Sequence, residues 1–88
     1  MAALKLNQWQ VYIVQCADET LYTGVTNHLD QRLKNHNSGK GAKYTRVRLP
    51  VKLVYAESCQ NHSVALKREW AIKQFSRLDK LKLIASSA

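Results

Sequence analysis

The chain has 88 residues, 45% of them hydrophobic and 23% charged. That suits one small folded domain and excludes a wholly disordered chain. Its 14 Lys and Arg against 6 Asp and Glu give a formal charge of +8, which favours a polyanionic partner because basic side chains release counterions from phosphates. Cys16 and Cys59 are far apart and neither belongs to a Cys-x-x-Cys pair, so two reduced thiols are expected rather than a disulfide framework. Cys59 and His62 make a Cys-x-x-His fragment, but no second pair completes a four-ligand zinc site. Met1 to Gln8 lacks the apolar core of a signal peptide, and no apolar run approaches the ~20 residues of a membrane span. A cytoplasmic protein without membrane contact is expected.

In chain order, Trp9 to Cys16 is rich in β-formers and almost wholly apolar, which predicts a strand. Ala17-Asp18-Glu19-Thr20 is a polar turn, and Leu21 to Thr26 predicts a second strand, so the two form a hairpin. Asn27 is the expected N-cap of a helix running to about Asn37, with Gly39 just past its end. Val51 to Glu57 is the third strand candidate, with Pro50 placed where a missing N–H does least harm. Asn61 or Ser63 caps a second helix reaching Gln74. A third, about 76–86, starts at Ser76 with Asp79 placed for a capping box. The order β-β-α-β-α-α predicts an α+β domain spanning 1–88, a three-stranded, mainly antiparallel sheet flanked by helices.

Glu69 is the first residue out of place. At 100° per residue, a helix over 63–75 sets Ala65 and Ile72 within about 20° of each other and Glu69 about 40° from Ala65. Val64 and Phe75 fall on one shoulder of that apolar arc, Leu66 and Trp70 on the other. A carboxylate facing a sheet needs a cation or hydrogen bonds. Two readings stand: a salt bridge to a core arginine, or a hard oxygen ligand for Mg²⁺.

In the first helix Leu29 and Leu33 mark the inward stripe, and Arg32 and His36 fall at its rim as an i,i+4 pair. Tyr12 and Tyr22 lie on adjacent strands, where a hairpin brings two hydroxyls to one face. The bland reading of a strand tyrosine is core filling, and the sharper one is a phenol that takes a proton from water. Ser38 to Arg46 mixes glycine, cations and an aromatic ring but fails the Walker A spacing. Lys40, Lys43, Tyr44, Thr45 and Arg46 suit backbone tracking with a stacking platform. Arg46, Arg48, Lys67, Arg68, Lys73 and Arg77 read as a diffuse basic surface.

Gln10-Val11-Tyr12 and Tyr22-Thr23-Gly24, followed by Arg32 and Glu69, resemble the GIY-YIG nuclease superfamily, above all its small stand-alone bacterial members. The resemblance runs from about Trp9 to Phe75. Gln10 replaces the opening glycine of the first motif, Thr23 the isoleucine of the second, and Val25 a lysine found in some relatives. The resemblance implies the same three-stranded fold and a divalent-metal-dependent endonuclease acting on DNA phosphodiesters, selecting by shape rather than sequence. It implies that Arg32 binds the scissile phosphate and that Glu69 holds one Mg²⁺ or Mn²⁺. One of the tyrosines activates water, His36 touches phosphate, positions water or makes a structural contact, and Gly24 lets phosphate or a helix approach. The expected substrate is branched or distorted DNA, with a protein partner as a further source of specificity. The alternative is a non-catalytic basic module that binds DNA or RNA.

Overall fold

The computed structural model describes residues 8–86; the first seven residues of the N-terminal stretch discussed above lie outside it. In chain order the elements are β1 (Trp9–Gln15), β2 (Leu21–Thr26), α1 (Leu29–Asn37), α2 (Lys43–Arg46), β3 (Lys52–Cys59), α3 (His62–Lys73) and α4 (Arg77–Ser86). The predicted order is present, with one additional short helix, α2. That helix, Lys43–Arg46, falls inside the Ser38 to Arg46 stretch, where the sequence predicts no element because four residues are too few for a hydrophobic period to show.

The three strands form one antiparallel sheet in the order β2-β1-β3. β1 is central because its run from Val11 to Val14 is fully buried, as only a strand covered on both faces can be. Alternation then divides its side chains between two layers. Val11 and Ile13 pack with Ala65 and Ile72 of α3 and with Phe75, Leu83 and Ile84 beyond it. Tyr12, Val14 and Cys16 face the other way, against Leu29 and Leu33 of α1, Tyr22 and Val51. Both cysteines are free and buried.

Local chemistry fixes the junctions. Glu19 closes the β1–β2 turn with a φ of 69°, and the Cys16 N–H donates to the Thr20 carbonyl at 2.9 Å. Asn61 caps α3 as expected, its side chain accepting from the Val64 N–H at 2.9 Å. Ser76 caps the start of α4 through the Asp79 N–H at 3.1 Å. Asn27 does not cap α1. His28 holds that position without a side-chain cap, and its N–H is instead taken by Thr26 Oγ1 at 3.0 Å. At the other end of α1, Asn37 accepts from the Val51 N–H at 2.8 Å and donates to the Val51 carbonyl at 3.1 Å. This pair of bonds ties the helix to the start of β3.

Candidate active site

The hairpin register sets Tyr12 opposite Gly24. The Tyr12 ring crosses β2 at that point, and a Cβ on Gly24 would lie 2.5 Å from the phenolic oxygen. Gly24 is buried, so it makes room for Tyr12 rather than for phosphate.

Tyr12 is fully buried, and its hydroxyl sits between two groups delivered by α1. Arg32 Nε donates to it at 3.1 Å, and His36 Nε2 lies 2.9 Å away. His36 is itself fully buried, deeper than the rim position expected, and its Nδ1 lies 2.8 Å from Thr45 Oγ1. The Thr45 hydroxyl in turn donates to the Ala42 carbonyl at 3.0 Å. The readings of His36 as a phosphate contact and of Thr45 as a nucleic-acid contact do not survive this geometry. Both side chains are enclosed and their polar atoms are engaged with each other. The link between them joins α2 to α1, and nothing in the residue spacing pointed to it.

Burial pushes the Tyr12 phenol above its ordinary 10.0; hydrogen bonding and charge from Arg32 pull it down, and the charges of Tyr22 and Glu69 raise it further. Arg32 thus does not make the proton easier to lose overall, because desolvation wins. Arg32 is partly buried, which weakens its charge, but the adjacent Tyr12 and Tyr22 oxygens hold its pKa up. His36 is pushed below 6.5 by burial and by the Arg32 charge and stays neutral.

Tyr22 keeps some exposure. Its ring meets His36 edge-on at 5.6 Å and stacks with Tyr44 at 6.0 Å. The Arg48 guanidinium lies 4.0 Å from the Tyr44 ring centre and forms a 3.0 Å ion pair with Asp18. The Tyr44 platform is therefore braced by protein on its own account, and Arg48 organises it rather than belonging to a diffuse surface. Lys40, Lys43 and Arg46 are exposed and line the α1–α2 side of the molecule.

Glu69 sits on α3 with 20% of its side chain exposed and pairs with Lys73 at 3.3 Å. The core-arginine reading is overturned. Arg32 is bonded to Tyr12, and Arg68 to Glu57 at 2.9 Å. The Glu69 charge is the weakest of the influences on the Tyr12 phenol, and among the described residues its carboxylate is paired with Lys73 rather than with Tyr12, Tyr22 or Arg32. No cluster of three His, Cys, Asp or Glu able to hold a metal occurs among the described residues. One reachable carboxylate fits an ion such as Mg²⁺, which keeps several waters and shares substrate phosphate, and does not fit a closed zinc site.

Residues 8–82 match the model of the GIY-YIG catalytic domain. The chain belongs to the GIY-YIG family. A UPF0213 protein of Desulfotalea psychrophila is 58% identical over 80 residues, covering 90% of this chain and 73% of the relative. One of Clostridium perfringens is 56% identical over 78 residues, covering 89% and 84%. Among solved structures, the UPF0213 protein BH0048 of Bacillus halodurans superposes with a TM-score of 0.58 at 42% identity, covering 89% of this chain and 83% of that one. The GIY-YIG fold predicted from the two tyrosine motifs is thus present, in a family of nucleases that generally use a divalent metal. No described helix is long and apolar enough to cross a membrane.

Proposed function

We propose that this GIY-YIG protein is a divalent-metal-dependent endonuclease that hydrolyses DNA phosphodiesters, with Tyr12, Arg32, His36 and Glu69 as the working groups. The observation that carries the proposal is the hydrogen-bonded run Arg32–Tyr12–His36, set into the core on α1 and β1.

A phenol whose pKa lies above 10.0 is protonated near neutrality and is no base by itself. A buried neutral imidazole is the base available. Tyr12 then acts as a conduit, giving its proton to His36 Nε2 as it takes one from water, so no free phenolate builds up. The water oxygen bonds to phosphorus, the bond to the leaving oxygen breaks, and its electron pair departs with that oxygen.

Arg32 supplies the anchor for phosphate. A phosphate is a stronger acceptor for guanidinium than a neutral phenol is. Binding substrate would draw Arg32 off the Tyr12 oxygen and open the place that water needs. The guanidinium then offsets charge on the phosphate as the attack proceeds. Glu69 is the residue that would hold Mg²⁺ or Mn²⁺, and the bound ion supplies Lewis-acid stabilisation of phosphate charge. Tyr22 borders the same space and supports Tyr44 beside it.

Lys40, Lys43 and Arg46 would grip the sugar–phosphate backbone, a contact blind to sequence. Selectivity would then come from the shape of branched or distorted DNA, or from a protein partner. The test is cleavage of branched, flapped and linear DNA and of structured RNA with Mg²⁺ or Mn²⁺. Wild type is expected to cut branched DNA, while Glu69→Ala and Arg32→Ala lose cutting and keep salt-sensitive binding. Equal cutting by either variant sinks the assignment.

A further inference from the structure

The two ends of the buried run point to where its protons lie. Arg32 Nε can only donate, so it donates to the Tyr12 oxygen at 3.1 Å. Thr45 Oγ1 donates to the Ala42 carbonyl at 3.0 Å, so towards His36 it can only accept. His36 Nδ1, 2.8 Å from Thr45 Oγ1, therefore carries the imidazole proton, and Nε2 is left bare to accept from the Tyr12 hydroxyl at 2.9 Å. The reverse arrangement fails on satisfaction. With the proton on Nε2, Tyr12 would receive two donors, and among the described residues its own O–H would be left without an acceptor inside a fully buried site. Leaving a buried hydroxyl unsatisfied forfeits its hydrogen bond to water with nothing in return.

The segment around Thr45 is shaped for this task. A Cβ on Gly41 would lie 2.5 Å from His36 Nδ1 and 2.7 Å from its Cα, so only glycine lets the loop close over the ring. The Thr45 and Arg46 N–H groups both reach the Ala42 carbonyl at 3.1 Å, which fixes the acceptor of the Thr45 hydroxyl within one short turn. Thr45 itself is fully buried, so it has no contact with nucleic acid to explain its presence.

We infer that Thr45 is a positioning residue: with Gly41 and the Ala42 carbonyl it clamps His36 in the Nδ1–H tautomer, so that Nε2 is the proton acceptor for Tyr12. Its consequence for cleavage rests on the nuclease reading above, whereas the tautomer itself does not. A side chain that fixes which ring nitrogen is bare decides whether an imidazole can serve as a base at all.

The experiment is long-range ¹H–¹⁵N correlation of the His36 ring in the full chain, alongside steady-state cleavage, for wild type, Thr45→Ser and Thr45→Val. Wild type and Thr45→Ser should show a protonated Nδ1 and a bare Nε2. Thr45→Val keeps the shape but removes the acceptor. The Nε2–H form should then appear, and kcat should fall by about 10- to 100-fold with KM unchanged, the usual scale for losing a residue that orients another. A wild-type ring protonated on Nε2 overturns the inference, as does a Thr45→Val protein with wild-type tautomer and kcat. Should Thr45→Val fail to fold, the wild-type spectrum and the retention of tautomer and kcat in Thr45→Ser decide it. A tautomer that follows Thr45 in a protein that cuts nothing upholds the inference and overturns the nuclease reading. Cleavage by a wild type with Nε2–H does the reverse.

Discussion

Gly24 lacks a side chain because the Tyr12 phenol occupies the space a Cβ would need, at 2.5 Å from its oxygen and 2.6 Å from Cζ. Both atoms belong to a ring locked between Arg32 and His36, so little can give way. Gly24→Ala is expected to lower stability by about 1–3 kcal/mol, the cost of overpacking a filled core, and to abolish cutting by displacing the hydroxyl. Chemical denaturation and a cleavage assay on the folded fraction check both. His36 gives a prediction in pH. Its pKa lies below 6.5 in the fold, so the unfolded chain takes up a proton first as the solution is acidified. The stability it contributes is whole above about pH 6.5 and is lost as pH falls towards the lowered native value. Denaturation midpoints followed from pH 7.5 down to pH 5 should decline in wild type and decline less in His36→Gln.

The elements differ in how openly their patterns are written. β2 runs over the predicted Leu21–Thr26, and β1 ends one residue before the predicted Cys16, because β-branched and aromatic runs between turn residues leave few alternatives. α3 spans His62–Lys73 within the predicted helix, and its buried face is narrower than the apolar arc. Ala65 and Ile72 are fully buried, whereas Val64, Leu66 and Trp70 are 40%, 45% and 68% exposed. The shoulders of the apolar arc stay open because the sheet beneath is only three strands wide. Ile72→Ala should therefore cost about 2–5 kcal/mol, and Trp70→Ala no more than about 0.5 kcal/mol, by denaturant titration. The same helix holds the Glu69–Lys73 pair, with side chains 20% and 48% exposed. Such a pair is worth about 0.2–1 kcal/mol, and a metal must displace the ammonium. Lys73→Ala should tighten Mn²⁺ binding up to about fivefold in calorimetric or paramagnetic-relaxation titrations, while Glu69→Ala removes it. The α1–α2 connection was hidden from sequence for a different reason. Thr45 meets His36 through one side-chain hydrogen bond nine residues apart, and such a contact leaves no trace in periodicity.

At the scale of the molecule, a charge of +8 over 88 residues and a one-sheet fold explain why composition suggested a polyanionic partner without naming a reaction. The proposed reaction rests on the layers. Tyr12 and Tyr22 look out from one face of the sheet towards α1, and α3, packed on the other face, carries Glu69, whose carboxylate pairs with Lys73. Alternation along the strands and the helical wheel of α3 were both legible in the sequence. The distance between the layers was not, since it depends on how β1, β2 and the helices pack together. The central claim, that Tyr12 carries a proton from water to His36 during metal-dependent cleavage, is tested most directly by single-turnover cutting of a branched DNA with Tyr12→Phe in Mn²⁺. The ring remains and only the hydroxyl is lost. Cutting should fall by at least about 100-fold with DNA binding within twofold of wild type. A Tyr12→Phe protein that cuts at the wild-type rate would contradict the account.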